Sequence, residues 1–126
     1  MFIYIWQDKK SQDLHLSEKK IDWIRMRIKV CKKSELSEGR AVSKKILARR
    51  VAVFMIEGQY YAVEGDCKHQ KAPLDTGRVE GQVVECAWHG WRYDIPSGEC
   101  LNEQWAKLKT YPIEEEGEWL VVDFGA

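Results

Sequence analysis

The chain has 126 residues, enough for about one domain with its own core, and its 20 basic side chains balance its 20 acidic ones. A nucleic-acid-binding surface normally needs a basic surplus, so no nucleic-acid partner is expected. No stretch approaches the roughly 20 apolar residues of a membrane helix, and the apolar opening MFIYIW gives way to QDKKSQD without the longer apolar run and cleavage site of a secretion signal. A cytoplasmic location and no membrane partner are expected.

Residues 1–22 read as an N-terminal extension, a short aromatic-aliphatic tip followed by the mixed charge of DKKSQDLHLSEKK, either a helix or an added strand. A domain over 23–126 follows. Trp23, Arg25, Arg27 and Lys29 alternate with Ile24, Met26, Ile28 and Val30, the period of a half-buried strand. KKSELSEGRAV supplies turn residues, with one helical turn at 34–36. RVAVFMIEGQYYAVEG reads as two strands turning at Glu57-Gly58, a strong hairpin signal. RVEGQVVE, residues 78–85, is a second hairpin turning at Glu80-Gly81-Gln82. RYDIPSGEC carries a Pro-Ser-Gly turn between short strands, and TYPIEEEGEWLVVDF is a last hairpin around Glu116-Gly117. Many short strands punctuated by glycine turns predict an all-β antiparallel sandwich or barrel.

Charge is uneven along the chain. Residues 1–63 hold 14 Lys and Arg against 7 Asp and Glu, and residues 64–126 hold 6 against 13. Either opposite faces of the domain differ in sign, which suits docking to a redox partner, or interleaved strands scatter the charge.

Two short segments carry the chemistry. CKHQKAPLDTG contains Cys67 and His69, and CAWHGWRYD contains Cys86 and His89. Both lie at the ends of the hairpin over 78–85, so folding brings them together. Four such donors form a metal site, and zinc is one reading. The order Cys-His-Cys-His, one Cys and one His per loop, also suits two irons, with thiolates on one and imidazoles on the other. In a chain without a secretion signal, four cysteines are ligands or free thiols before they are disulfides.

The stretch from Cys67 to Glu99 resembles a Rieske [2Fe–2S] domain of the ferredoxin-like branch: C-x-H, sixteen residues, C-x-x-H-G, with Ala-Pro-Leu in the first loop and Gly-Trp-Arg in the second. The looser likeness runs over about residues 23–123. It implies a Rieske iron–sulfur-protein-like β-sandwich or barrel with a small cluster-binding subdomain, its loops at 66–77 and 85–94. It also implies one [2Fe–2S] cluster per chain, with Cys67 and Cys86 on the buried iron and His69 and His89 on the outer one.

Rieske proteins of respiratory complexes carry two further loop cysteines as a disulfide; the matching positions here are Ala72 and Trp88. Their potential-raising serine falls at Trp91, while their tyrosine is retained as Tyr93. Hydrogen bonds to cluster sulfur favour the reduced state, so one donor lost and one kept predicts the low end of the Rieske span of about −150 to +300 mV. Gly90 and Gly77 permit turns, Pro73 stiffens the first loop, Trp88 and Trp91 shield the cluster, and Trp105 covers its back. Cys31 and Cys100 are spare thiols, either buried or a redox pair, and His15 is solvated.

A Rieske oxygenase also needs a mononuclear iron held by two histidines and a carboxylate. Only His15 remains, so the chain is not expected to be an enzyme. The resemblance implies a soluble one-electron carrier between a reductase, expected to be a flavoprotein, and a terminal oxygenase. The alternatives are a small electron-transfer subunit of a larger reductase, such as an assimilatory nitrite reductase, and a zinc-stabilised interaction module.

Overall fold

The computed structural model describes residues 26–46 and 48–125. The extension over 1–22, with His15, and the start of the first predicted strand at 23–25 lie outside them. The described residues form ten strands, in chain order β1 (Arg27–Lys32), β2 (Ala41–Ile46), β3 (Arg49–Ile56), β4 (Gln59–Glu64), β5 (Arg78–Glu80), β6 (Val83–Glu85), β7 (Arg92–Asp94), β8 (Thr110–Tyr111), β9 (Ile113–Glu116) and β10 (Trp119–Asp123). They form three antiparallel sheets, ordered β1-β10-β9, β2-β3-β4-β8 and β5-β6-β7. The described residues contain no α-helix. The fold is the all-β architecture that the turn spacing predicts.

The period of two along β3 sorts its side chains into two cores. Val51 and Val53 join Val30, Leu120, Val122 and Phe124 between the β3 sheet and the β1-β10-β9 sheet. Ala52, Phe54 and Ile56 join Leu74, Val84, Tyr93 and Leu108 on the opposite face. The β2-β3-β4-β8 sheet is therefore the middle layer, which explains why RVAVFMI reads as a nearly unbroken apolar run. Phe54, Val51 and Val53 are wholly buried, and each contributes about 1.5–3 kcal/mol of burial.

The predicted turns match the structure closely. Glu57 and Gly58 both take left-handed backbone, φ 52° and 79°, the conformation a two-residue hairpin of this twist requires. The helical turn expected at 34–36 is a 3-10 turn over Lys33–Glu35, tied by the Lys32 N–H donating to the Glu35 carboxylate at 2.9 Å. One strand escapes the sequence reading. In β2, AVSKKI, both faces are partly exposed, so no apolar alternation marks it, and it is held by its full ladder to β3.

The charge asymmetry resolves by interleaving on one side of the molecule. Basic β1 lies across β10 from acidic β9, so Arg27 reaches Glu114 at 2.6 Å and Glu116 at 2.5 Å, and Lys33 reaches Glu115 at 2.6 Å. Pairs this exposed contribute little to stability.

The β5–β6 hairpin positions the two chemical loops. Arg78 pairs with Glu85 at its open end, so the loop entering β5 and the loop leaving β6 emerge side by side. Gly77 makes the close approach possible: a Cβ there would stand 2.5 Å from the Glu85 carbonyl oxygen. The first loop is closed at its base by the Leu74 N–H donating to the Gly65 carbonyl at 2.7 Å, and by the Asp66–Pro73 bridge.

Candidate metal centre

Both loops are built on one hydrogen-bond frame. The Cys67 amide donates to the Ala72 carbonyl at 2.8 Å, and the Cys67 carbonyl accepts from Lys71 at 2.7 Å. The Cys86 amide donates to the Trp91 carbonyl at 2.7 Å, and the Cys86 carbonyl accepts from Gly90 at 3.0 Å. The fifth residue is left-handed in each, Lys71 at φ 59° and Gly90 at φ 74°. A glycine takes that conformation freely, whereas a lysine there is strained. The sequence reading singles out Gly90 and misses Lys71, because nothing in a lysine announces positive φ.

The frame separates the donors by burial. Cys67 and Cys86 are 0% and 1% exposed and sit in the core with Leu74, Val84, Tyr93 and Leu108. His69 and His89, two and three residues further on, are exposed, with their rings edge to face and centroids 4.6 Å apart. Pro73 stands at the start of a 3-10 turn over Leu74–Thr76, and its fixed φ sets the return of the first loop. Ala72 is wholly buried.

Cys67 sulfur is supplied with donors. The His69 amide lies 3.4 Å from it and the Tyr93 hydroxyl 3.3 Å. That hydroxyl accepts the Lys68 N–H at 2.9 Å, so its own proton is free to point at sulfur. Burial first, and the neighbouring Cys67 next, push the Tyr93 phenol up from its ordinary value, so it stays a donor at neutral pH. Tyr93 is also wholly buried, a core aromatic whose hydroxyl stands within hydrogen-bonding distance of Cys67 sulfur.

Aromatic rings surround the imidazoles. Trp91 stacks on His69 with centroids 4.5 Å apart and planes 11° from parallel. Trp88 meets His89 edge-on at 6.3 Å and is 62% exposed, so its indole is largely open to solvent. Trp105 is 68% exposed and packs against Trp91 at 5.9 Å. An indole this exposed does not supply the buried cover expected of it; the buried residues packed with Cys67 and Cys86 are Tyr93, Leu74 and Leu108 among others. Trp88, Leu101 and Trp105 are the exposed large apolar side chains among the described residues.

Cys31 and Cys100 are free, buried thiols in different cores, Cys31 with Val30 and Leu120 and Cys100 with Tyr93. They do not form a redox pair. Burial, followed by Glu35, pushes the Cys31 thiol up to about 11.

The sequence profile of the Rieske [2Fe-2S] domain matches residues 26–112. The chain belongs to the Rieske [2Fe–2S] domain family. It is 31% identical over 90 residues to the ferredoxin component of a naphthalene 1,2-dioxygenase system from Pseudomonas aeruginosa, covering 71% of this chain and 86% of that one. Its fold superposes with a TM-score of 0.71 on a chain from the complex of reduced oxygenase and oxidised ferredoxin in carbazole 1,9a-dioxygenase, at 27% identity and with 77% and 92% of the two chains covered. The fold is shared, at 20% identity and a TM-score of 0.68, by a chain assigned as the small subunit of an NADH-dependent nitrite reductase from Mycobacterium tuberculosis, covering 79% and 94%.

The donors of this Rieske domain suit the cluster of its family. Two buried thiols, one with the His69 N–H and the Tyr93 hydroxyl in reach of its sulfur, lie two and three residues before two adjacent, exposed imidazoles. Among the described residues, no group of three or more His, Cys, Asp or Glu side chains is placed to hold a single ion. No helix among these residues is long and apolar enough to cross a membrane.

Proposed function

We propose that Cys67, Cys86, His69 and His89 hold one Rieske [2Fe–2S] cluster, and that the chain carries single electrons from a reductase, expected to be a flavoprotein, to a terminal oxygenase. The observation that carries this reading is the split of the donor set, thiols in the core and imidazoles at the surface. When bound, the cluster supplies a reversible one-electron couple. The protein's own part is to exclude water from the thiolate side, to donate hydrogen bonds to Cys67 sulfur, and to present the imidazole edge to a partner. The likeness to ferredoxin components of dioxygenase systems supports a carrier without catalysis of its own. Trp91 in place of a small hydroxyl donor, with the Tyr93 hydrogen bond kept, puts the potential at the low end of the Rieske span.

The test is reconstitution. Purified protein, with a flavin reductase and the oxygenase of a ring-hydroxylating system, should support substrate oxidation in proportion to its concentration. Its potential should be flat near neutral pH and fall only in alkali. A protein that is inert in that assay, yet always purifies with a larger reductase chain, would replace the carrier with a subunit.

A further inference from the structure

Metal-bound histidines are normally oriented by a hydrogen bond from the second ring nitrogen to a carboxylate, carbonyl or water. Among the described residues, no protein group hydrogen-bonds the exposed His69 ring, and its backbone N–H lies 3.4 Å from Cys67 sulfur. The ring instead meets the edge of His89 at 4.6 Å and lies flat against the Trp91 indole at 4.5 Å and 11°.

Trp91 belongs to the other loop. Its carbonyl accepts the Cys86 N–H at 2.7 Å, so its backbone is locked into the frame that carries Cys86. Its indole is also contacted by Trp105, whose ring centroid lies 5.9 Å away and whose plane crosses it at 71°. A ligand of the first loop is therefore held by a residue of the second, and that residue by a third segment.

We propose that Trp91 is a positioning residue for His69: the stacked indole sets the plane of the imidazole, and Trp105 sets the plane of the indole. The inference rests on the cluster reading above. The torsion that turns an imidazole about its last bond is broad, and an aromatic pair favours the stacked orientation by up to about tenfold. Both loops must be in place for the stack to form, so the orientation of His69 also couples them mechanically.

The experiment is electron paramagnetic resonance of the reduced holoprotein, with visible circular dichroism of the oxidised form, for wild type, Trp91→Ala, Trp91→Phe, Trp91→Leu and Trp105→Ala. Wild type must first show the Rieske signature, and its absence there would count against the cluster reading itself. Given that signature, Trp91→Ala and Trp91→Leu should shift and broaden the resonance. Trp91→Phe should keep the wild-type line, and Trp105→Ala should broaden it less. Leucine fills space without a flat face, so a Trp91→Leu line superimposable on wild type would overturn the proposal and leave Trp91 as packing. Should Trp91→Ala fail to retain its cluster, the comparison of Phe with Leu decides on the same terms.

Discussion

In the loop after β4, Cys67 donates to Ala72 and accepts from Lys71; in the loop after β6, Cys86 donates to Trp91 and accepts from Gly90. The backbones repeat each other, and the contents do not. The first loop turns on a strained lysine and closes on a buried alanine, with the Tyr93 hydroxyl against its sulfur. The second turns on glycine and ends in an indole that reaches across to the first loop's histidine. A common frame therefore delivers the same chemistry twice, one thiol inward and one imidazole outward. The side chains hung on it make one loop the buttress and the other the buttressed.

The harshest way to break this comparison is to remove an imidazole. His69→Ala and His89→Ala should each abolish the Rieske optical and spin signature, measured on protein purified under nitrogen. Survival of the signature in either variant would remove that histidine from the ligand set. The thiols invite a second contrast, between Cys67 and Cys86, assigned to the cluster, and Cys31 in the other core. A Cys31 thiol raised from 9.0 to about 11 adds stability that is fully present below pH 9. That stability is lost as the pH rises toward 11, up to about 2 kcal/mol. Urea melts of wild type should fall more steeply over that window than those of Cys31→Ala; parallel slopes would mean that the thiol titrates normally.

The two left-handed positions sharpen the comparison further. At Gly90 an added Cβ meets only the Glu85 carboxylate, at 3.6 Å, so Gly90→Ala should cost the backbone strain alone, about 1 kcal/mol. Lys71→Gly should relieve the same strain and change stability by less than about 0.5 kcal/mol, because glycine loses more chain entropy on folding. Equal losses from both, in denaturant melts, would mean that the loops are not backbone equivalents. The gentlest change is Tyr93→Phe, which removes one donor from Cys67 sulfur and keeps the ring. A hydrogen-bond difference of about 1 kcal/mol between redox states corresponds to a fall of about 40 mV in a one-electron potential. An unchanged potential would leave Tyr93 with packing alone.

How legible these features are in the sequence follows from what each depends on. Gly58, Gly81 and Gly117 mark their turns because positive φ selects glycine, and β3 is plain because both its faces are buried. The four proposed donors stand out by type and spacing. Strand β2 does not, since an edge strand with Ser43, Lys44 and Lys45 needs no apolar alternation. The placement of Trp105 is equally hidden. Exposed at 68%, it is set by a contact with Trp91 from a distant segment, and aromatic composition alone suggests burial. Lys71 is the extreme case, a conformation imposed entirely by the hydrogen bonds around it.

The central claim is that one chain holds one two-iron cluster and moves one electron. Coulometric titration of the anaerobic protein, with iron and acid-labile sulfide assayed on the same sample, tests it directly. Two irons, two sulfides and one electron per chain are expected of a Rieske [2Fe–2S] domain, with a reversible midpoint at the low end of the Rieske span. A colourless protein that binds one zinc and takes up no electron would contradict it.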